Sequence, residues 1–444
     1  MIQVTPFDSA LFNPLLSDNE AGYYLNDQAF IKAMLSVESA LAIAQAKAGL
    51  IPTEAATAIT NVAENLEISP ATLAQGTASA GVPVPALVAA IKAQLPSEQA
   101  KWVHFGATSQ DIVDTALILT IRSLLDIIEQ RIKHSLRHLR DLAQTHENTL
   151  IAGRTRTQQA VPMSFGFKVA EWANPLLRQL ARLDEMRPRI LKTQLGGAVG
   201  TLAAMGEKAD EVGLHFADTL TLERGDNWHT QRDSLVECSS WLSVTTGLLG
   251  KMAQDWLWLS STECGEIRFT NGGGSSTMPQ KCNPVNAEVM VAMMRLNAGW
   301  CGQMHQAMLH EHERSGSQWT QEWFILPQQL LATVVAARHS IDALDHIVIN
   351  REQMLHNLGA FNGVIYAEAA TFELAKTMGR DKASELVKAA SKTAITGSEH
   401  LFTLIAQESG QQLDVETMQA ALLKAGATTS WLARIIGNIN QICP

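Results

Sequence analysis

The chain has 444 residues, of which 46% are apolar and 18% are charged, so it is long enough to bury a large core and too apolar to be intrinsically disordered. Its net charge of −10 argues against nucleic acid as the main partner, because nucleic-acid-binding surfaces are rich in lysine and arginine. An anionic substrate would therefore have to be held by a local cluster of cations.

The five cysteines are odd in number, and no two have the spacing of a metal-ligand or redox pair. This pattern predicts reduced thiols and a cytoplasmic protein. The N-terminus lacks a basic start followed by an apolar run, so no signal peptide is expected. No uninterrupted apolar stretch is long enough to span a bilayer, and no cofactor is predicted.

Residues 1–107 are predicted to form a small N-terminal helical domain. Apolar residues recur at helical spacing from Gln28 to Leu50, and Gly49 and Pro52 mark the end of that helix. The stretch from Gly76 to Pro85 is rich in small residues and is predicted to be a loop.

Residues 108–350 are predicted to form a bundle of long helices. Neither glycine nor proline occurs between Gly106 and Gly153, and apolar residues recur there every three or four positions, which predicts one amphipathic helix about 50 Å long. A helix of this length needs partners to cover its apolar stripe. Similar proline-free tracts cover residues 229–264, 285–311 and 328–348. Shorter helices, separated by glycines, are predicted in a C-terminal domain over residues 351–444.

Two polar stretches stand at predicted helix starts. Thr108 and Asp111 have the spacing of a capping box, which a plain N-cap would explain without any function. Residues 270–284 contain three consecutive glycines, two serines, Lys281 and Asn283 before a proline. Asn283 is predicted to cap the next helix, whose positive end then favours an anion in this loop. A flexible glycine–serine linker is the alternative interpretation.

Histidine and glutamate alternate over residues 310–313, at the start of the segment 310–319, and this pattern suggests a metal site at first sight. However, His310 and His312 are two residues apart and so lie on different faces of a helix, unlike the four-residue spacing of zinc-binding helices. No metal site is therefore predicted.

Residues 274–284 closely resemble the signature loop of the fumarase/aspartase superfamily, and residues 108–111 and 153–162 resemble its first and second signature regions. The resemblance implies a three-domain all-α fold that assembles into a homotetramer with a 20-helix core. It also implies active sites that combine the three regions from different subunits, with a small tricarboxylate as substrate.

The resemblance assigns roles to individual residues. It implies that Ser275 carries the proton, and that Lys281 and Asn283 bind a carboxylate and stabilise its aci-form, where negative charge develops. It implies that Thr108 and Ser109 bind a second carboxylate. His104 falls on a position that contacts substrate in related lyases, and the alternative is a buried histidine bonded to the backbone.

Arg156 departs from the superfamily pattern, because the lyases usually have a histidine there that acts as general acid or as its relay. Arginine stays protonated at any accessible pH, so it cannot cycle a proton, but it can hold a carboxylate bidentately. A departing amine or hydroxide needs an acid, whereas a carboxylate needs only a cation. Arg156 therefore predicts a reaction in which a carboxylate adds to, or leaves from, a carbon next to an activated C=C bond. Such an addition is lactonisation when it occurs within one molecule. Glu288 occupies the position of the glutamate that pairs with the family's histidine, and it is predicted to orient Arg156 by a salt bridge.

Arg156, Gln110 and the segment from Trp319 to Trp323 resemble bacterial 3-carboxy-cis,cis-muconate lactonising enzymes of the protocatechuate pathway. This resemblance places Gln158 and Arg314 among the substrate-binding residues. The phosphate-binding cations of nucleotide lyases are missing: Trp323 stands where those enzymes have an arginine, and residues 11–18 contain no cation. Two alternatives are an adenylosuccinate-lyase-like or other C–N lyase that releases fumarate, and a non-catalytic helical scaffold.

Overall fold

The computed structural model describes residues 5–274 and 277–443, and this part of the chain is predominantly α-helical, as predicted. The helices ahead of residue 108 are α1 (Asn13–Leu16), α2 (Asn19–Leu25), α3 (Asp27–Lys47), α4 (Thr53–Asn65), α5 (Pro70–Ala80), α6 (Val84–Lys92) and α7 (Ser97–Ala100). They are followed by α8 (Ser109–Thr145), α9 (Phe165–Ile190), α10 (Ala209–Leu220), α11 (Asp233–Leu259), α12 (Val285–Ala307) and α13 (Gly316–Leu344). The last six are α14 (Arg351–Leu358), α15 (Ala367–Met378), α16 (Arg380–Thr396), α17 (Leu401–Ser409), α18 (Val415–Leu423) and α19 (Thr428–Ile442). Short 3-10 helices cover Pro6–Asp8, Ala203–Lys208 and Val364–Tyr366.

Six short strands pair two by two in the described residues. They are β1 (Leu150–Thr155), β2 (Gln158–Ser164), β3 (Ile267–Phe269), β4 (Gly273–Gly274), β5 (Cys282–Asn283) and β6 (Ile347–Ile349). The antiparallel pairs are β1 with β2, β3 with β6, and β4 with β5. The sequence did not predict them, because β1 buries consecutive residues and the others are too short or too polar to show alternation.

The longest predicted helix is confirmed as α8, whose 37 residues span about 55 Å. Its apolar stripe is fully buried, at Ile121, Leu125, Ile128, Ile132, Leu136 and Leu139. The tracts predicted over residues 229–264 and 285–311 correspond to α11 and α12.

The chain divides into two compact units. The first comprises Met1–Gln130, Gln179–Gly247 and Ala292–Ala337, and the second comprises Arg131–Arg178, Leu248–Val291 and Arg338–Pro444. The first unit has a core built on α3, with Met34 and Leu41 packed among residues of α4, α6, α8 and α10. The second unit has a core of its own, formed largely by α15, α16 and α17. The division into three domains at residues 107 and 350 stays a prediction.

Helix α3 is the one described helix that is long and apolar enough to cross a membrane by length and composition alone, which the sequence analysis did not anticipate. Its most apolar stretch is 61% buried within the protein. Such burial is typical of a core helix, and it agrees with the place of α3 in the core of the first unit.

The loop predicted from Gly76 to Pro85 is wrong over most of its length. Helix α5 continues to Ala80, Gly81 ends it with φ of 76°, and α6 begins at Val84. Small residues here serve close helix packing, since a Cβ atom on Gly76 would lie only 2.7 Å from the Cβ of Ala86.

The helix predicted over residues 328–348 is also wrong in its start, because α13 begins at Gly316 and passes through Pro327. Proline removes one backbone donor but leaves the flanking turns intact when packing holds them. Leu326 and Leu330 on either side of Pro327 are fully buried, so tertiary packing overrides the local preference.

Candidate active site

The start of α8 presents two polar side chains in the first unit. The backbone N–H of Thr108 donates to Asp111 Oδ2 at 2.9 Å, which forms one half of the predicted capping box. Thr108 and Ser109 are half-buried, and neither hydroxyl has a hydrogen-bond partner within residues 5–274 and 277–443. Both hydroxyls are therefore available to a ligand at the positive end of a long helix.

Asp111 fixes the geometry of this helix start. Its fully buried carboxylate accepts hydrogen bonds from the backbone N–H groups of Gly196 and Gly197 at 2.8 and 2.9 Å. His229 Nε2 donates to the same carboxylate at 2.8 Å. The loop containing Gly197 is thereby held beside Thr108.

His104 lies in the same region with a left-handed backbone, φ 63°. Its Nδ1 is 2.6 Å from Oε1 of the buried Glu38. Burial alone would lower the pKa of His104, but the charge and hydrogen bond of Glu38 raise the pKa above its ordinary value. The predicted alternative of a histidine bonded to the backbone is wrong, because the partner is a carboxylate. Sequence reasoning overlooked Glu38, although a lone acid in the apolar run of α3 was a usable signal.

Arg314 is held at the same loop. Its Nε donates to Gln110 Oε1 at 3.2 Å, and its Nη2 donates to the carbonyl oxygens of Gly197 and Ala198 at 3.2 and 3.1 Å. The structure therefore brings His104, Thr108, Ser109 and Arg314 together around the start of α8 and the Gly197 loop.

A buried ion network lies behind Arg314. Arg232 donates to both oxygens of Asp114, at 2.6 and 3.2 Å, and to both oxygens of Glu322, at 2.9 and 2.5 Å. All three side chains are at most 1% exposed. Gln110 Nε2 donates to Asp114 at 3.1 Å, which links the network to Arg314. The sequence did not reveal this network, since its members are far apart in the chain.

In the second unit, Arg156 and Gln158 lie at the tip of the β1–β2 hairpin. Thr155 pairs with Gln158, so Arg156 and Thr157 form the two-residue connection. Arg156 and Gln158 are exposed, and Arg156 makes no ion pair or hydrogen bond through its side chain within the described residues. A free guanidinium is thus presented at the end of a rigid element.

The signature loop also belongs to the second unit. The strand pair β4–β5 closes it at the base, and a Cβ atom on Gly272 would lie only 2.7 Å from the backbone carbonyl oxygen of Asn283, so glycine is required there. Lys281 is exposed and Asn283 is half-buried. Ser275, the predicted proton carrier, lies outside the described residues. Glu288 follows the loop and is exposed in the first turn of α12. This helix begins at Val285, one residue later than the start predicted from Asn283 and Pro284.

The predicted salt bridge between Arg156 and Glu288 is not formed within one chain. Both residues are described, both are exposed, and neither has a salt bridge in this part of the molecule. Arg156 and Glu288 therefore do not form their predicted salt bridge with each other inside one chain. Among the described residues no group of three or more histidine, cysteine, aspartate or glutamate side chains could hold a metal ion.

Comparison with known proteins identifies the family. The sequence model of the lyase family matches residues 19–297. The chain is 38% identical over 408 residues to a 3-carboxy-cis,cis-muconate cycloisomerase of Acinetobacter baylyi, covering 90% of each chain. It is 37% identical over 425 residues to the enzyme of the same name from Pseudomonas aeruginosa, covering 93% of this chain and 92% of that one.

A solved structure agrees with these relatives. The crystal structure of a 3-carboxy-cis,cis-muconate lactonizing enzyme from Pseudomonas putida superposes with a TM-score of 0.90 at 34% identity, over 98% of this chain and all of the other. This coverage confirms the predicted fold class over nearly the whole length. The chain therefore belongs to the lyase family of the fumarase/aspartase superfamily, and it resembles the 3-carboxy-cis,cis-muconate cycloisomerases within that family.

Proposed function

We propose that this chain is a 3-carboxy-cis,cis-muconate cycloisomerase, an isomerase that adds a substrate carboxylate to a C=C bond of the same molecule. The product is 4-carboxymuconolactone, in the protocatechuate branch of the β-ketoadipate pathway. The relatives support this assignment by name and by coverage. The observation that carries it is Arg156, an exposed cation whose side chain has no partner among the described residues, at the position where lyases of the superfamily have a titrating histidine.

The reaction divides into charge stabilisation and proton delivery. A carboxylate oxygen forms the new C–O bond while the π bond breaks, and the electron pair moves into a neighbouring carboxylate as an aci-anion. Lys281 and Asn283 stabilise that anion, with donors placed where the charge develops. Ser275 then delivers a proton, drawn ultimately from solvent, to the adjacent carbon. No cofactor takes part in this proposal.

The remaining carboxylates of the substrate require fixed cations and hydroxyls. Arg156 holds the attacking carboxylate bidentately, assisted by Gln158. Thr108, Ser109 and Arg314 hold another carboxylate at the start of α8, where the helix end and the guanidinium both favour negative charge. His104, whose protonated form is favoured by Glu38, adds a further cation to this carboxylate pocket.

We propose further that the protein is a cytoplasmic homotetramer in which each active site combines regions from different subunits. Glu288 would then form its salt bridge with Arg156 of another subunit, which explains why both residues are exposed in the single chain. The long helices with exposed apolar residues, such as Val244, Trp258, Leu296 and Phe324, would supply the subunit interfaces.

The test is an assay of the purified protein with 3-carboxy-cis,cis-muconate. Loss of the muconate ultraviolet absorbance, with proton NMR showing the lactone, is the expected result. Adenylosuccinate serves as the comparison substrate, and fumarate release from it without lactone formation would contradict the proposal in favour of a C–N lyase. The Ser275→Ala variant is the matched control, since undiminished turnover would show that Ser275 does not deliver the proton. Absence of turnover in the natural protein with either substrate would favour a non-catalytic scaffold.

A further inference from the structure

The turn that carries Arg156 has an unusual backbone for its sequence. Arg156 and Thr157 have φ angles of 50° and 67°, so both residues of the two-residue turn are left-handed. Such hairpin turns favour Asn-Gly or Gly-Gly, and a β-branched threonine in this region is a genuine outlier. Strain of this kind persists where the surrounding structure holds it, and it is frequent at functional sites.

The hairpin is tied down on both strands close to its tip. Arg154 donates from its two terminal nitrogens to the two oxygens of Glu266, at 2.9 and 2.7 Å. On the opposite strand its register partner Gln159 donates to the carbonyl oxygen of Asn357 at 3.1 Å. Asn357 in turn donates to Glu266 Oε1 at 2.9 Å. Both strands are therefore connected by hydrogen bonds to Glu266, directly or through Asn357, and Glu266 is completely buried.

Strand β1 contains a bulge between its buried first half and the tip of the hairpin. The register of the hairpin shifts between Ala152 and Arg154, and a Cβ atom on Gly153 would lie 2.8 Å from the carbonyl oxygen of Val161. A bulge of this type bends a strand and changes the direction of the side chains beyond it. The Arg154–Glu266 ion pair begins at the residue after the bulge, so it fixes the bent arrangement.

We infer that Arg154 and Glu266 are positioning residues for Arg156, because their ion pair, anchored on the buried carboxylate of Glu266, sets the direction in which the strained hairpin tip presents its guanidinium. This inference rests on the proposed function, in which Arg156 holds the attacking carboxylate. Stability alone is a weak reason for such a pair, since well-packed apolar residues serve the interior of a protein at least as well. Two donors meeting two acceptors define an orientation that a single contact cannot.

A double-mutant cycle tests this inference. Arg154→Lys retains the charge but loses the two-point contact, and we expect it to lower kcat/KM for lactonisation about tenfold, since small misplacements of a positioned group are costly. In the Arg156→Ala background the same change should have no further effect, because the residue that it positions is gone. Glu266→Gln, which keeps the size of the side chain, should behave in the same way. If Arg154→Lys does not fold, Glu266→Gln takes its place in the cycle.

The outcomes separate this inference from the proposed function. Equal losses from Arg154→Lys in both backgrounds would mean a general structural role and would overturn the inference alone, as would full activity of Arg154→Lys in the otherwise unchanged protein. Full activity of Arg156→Ala would overturn the proposed role of Arg156 and the inference together. Circular dichroism melting curves of all four proteins of the cycle verify that folded enzymes are compared.

Discussion

His104 and Glu38 form an acid–base pair beside the hydroxyls at the start of α8. The 2.6 Å contact and the burial of Glu38 keep the imidazole protonated above the pH at which a free histidine loses its charge. Asp111 acts in the same direction and Lys92 opposes it. The pair therefore keeps a cation available for a substrate carboxylate up to a higher pH than a free histidine would.

Replacing Glu38 by glutamine should shift the pH dependence of the reaction. Without the carboxylate, burial lowers the pKa of His104, so the cation is lost at a lower pH. We expect kcat/KM of the natural enzyme to fall as pH rises above 6.5, and the fall in Glu38→Gln to occur below 6.5, with a raised KM at neutral pH. Profiles between pH 5.5 and 9 measure this shift, and coincident profiles would show that His104 does not bind substrate as a cation.

Sequence motifs indicated candidate site residues, whereas residues that only the fold brings together were not indicated by any motif. Thr108 and Arg314 stand in recognisable segments, and the structure brings them together. Glu38 and Arg232 lie in no motif, and their roles depend on partners that are 66 and 118 positions away in the chain. Such pairings follow from tertiary packing, which local patterns do not encode.

The elements around the first-unit site are joined by the Asp114–Arg232–Glu322 network. Asp114 lies on α8, Glu322 lies on α13, and Arg232 immediately precedes α11. Trp319 Nε1 donates to Asp114 at 2.9 Å, and His310 Nε2 lies 3.3 Å from Glu322 Oε1. Burial alone would raise the pKa of Glu322, but Arg232 and His310 lower it below its ordinary value, so the carboxylate is held as an anion.

Removing the central cation should destabilise the protein strongly. Arg232→Met leaves two buried carboxylates without their partner, and we expect the free energy of unfolding to fall by about 3–5 kcal/mol. Arg189→Met is the control, because Arg189 pairs with Glu237 at an exposed position, where an ion pair contributes little. Urea midpoints compare the two variants, and a midpoint for Arg232→Met as high as that of the control would refute the importance of the network.

Helices were predictable as elements because their apolar period is long and regular, as in α8. The hairpin was not predictable, since β1 buries three consecutive residues and β2 contains a proline, so neither shows a two-residue alternation. The strain at Arg156 and Thr157 was also hidden, because nothing in the pair Arg-Thr favours a left-handed turn. The element that carries the central cation is therefore the one that the sequence described least well.

At the scale of the whole molecule, the proposed site residues fall in different units. His104, Thr108, Ser109 and Arg314 belong to the first unit, whereas Arg156 and Lys281 belong to the second. If the sites are shared between subunits, as we propose, a variant chain that is damaged in one region can form an active site with a chain in which that region is intact.

Mixed oligomers should reveal such sharing. Ser109→Ala and Arg156→Ala are each expected to have little activity, but their co-expression should recover activity well above either variant, because some sites then combine two intact regions. The control is co-expression of Arg156→Ala with Gln158→Ala, which damage the same hairpin and should not complement. Mass spectrometry verifies that mixed oligomers have formed. If these oligomers recover no activity, each complete active site lies within one chain.

In the proposed reaction, a permanent positive charge at position 156 replaces a titrating imidazole. The kcat/KM of Arg156→His for lactonisation, divided by that of the natural enzyme at each pH from 5.5 to 9, tests it most directly, since the titration of other groups cancels in the ratio. We predict a loss of about 10²-fold at the alkaline end, with partial recovery as pH falls below the ordinary histidine pKa of about 6.5, where the imidazole becomes a cation. A ratio near one across the whole range would contradict the account.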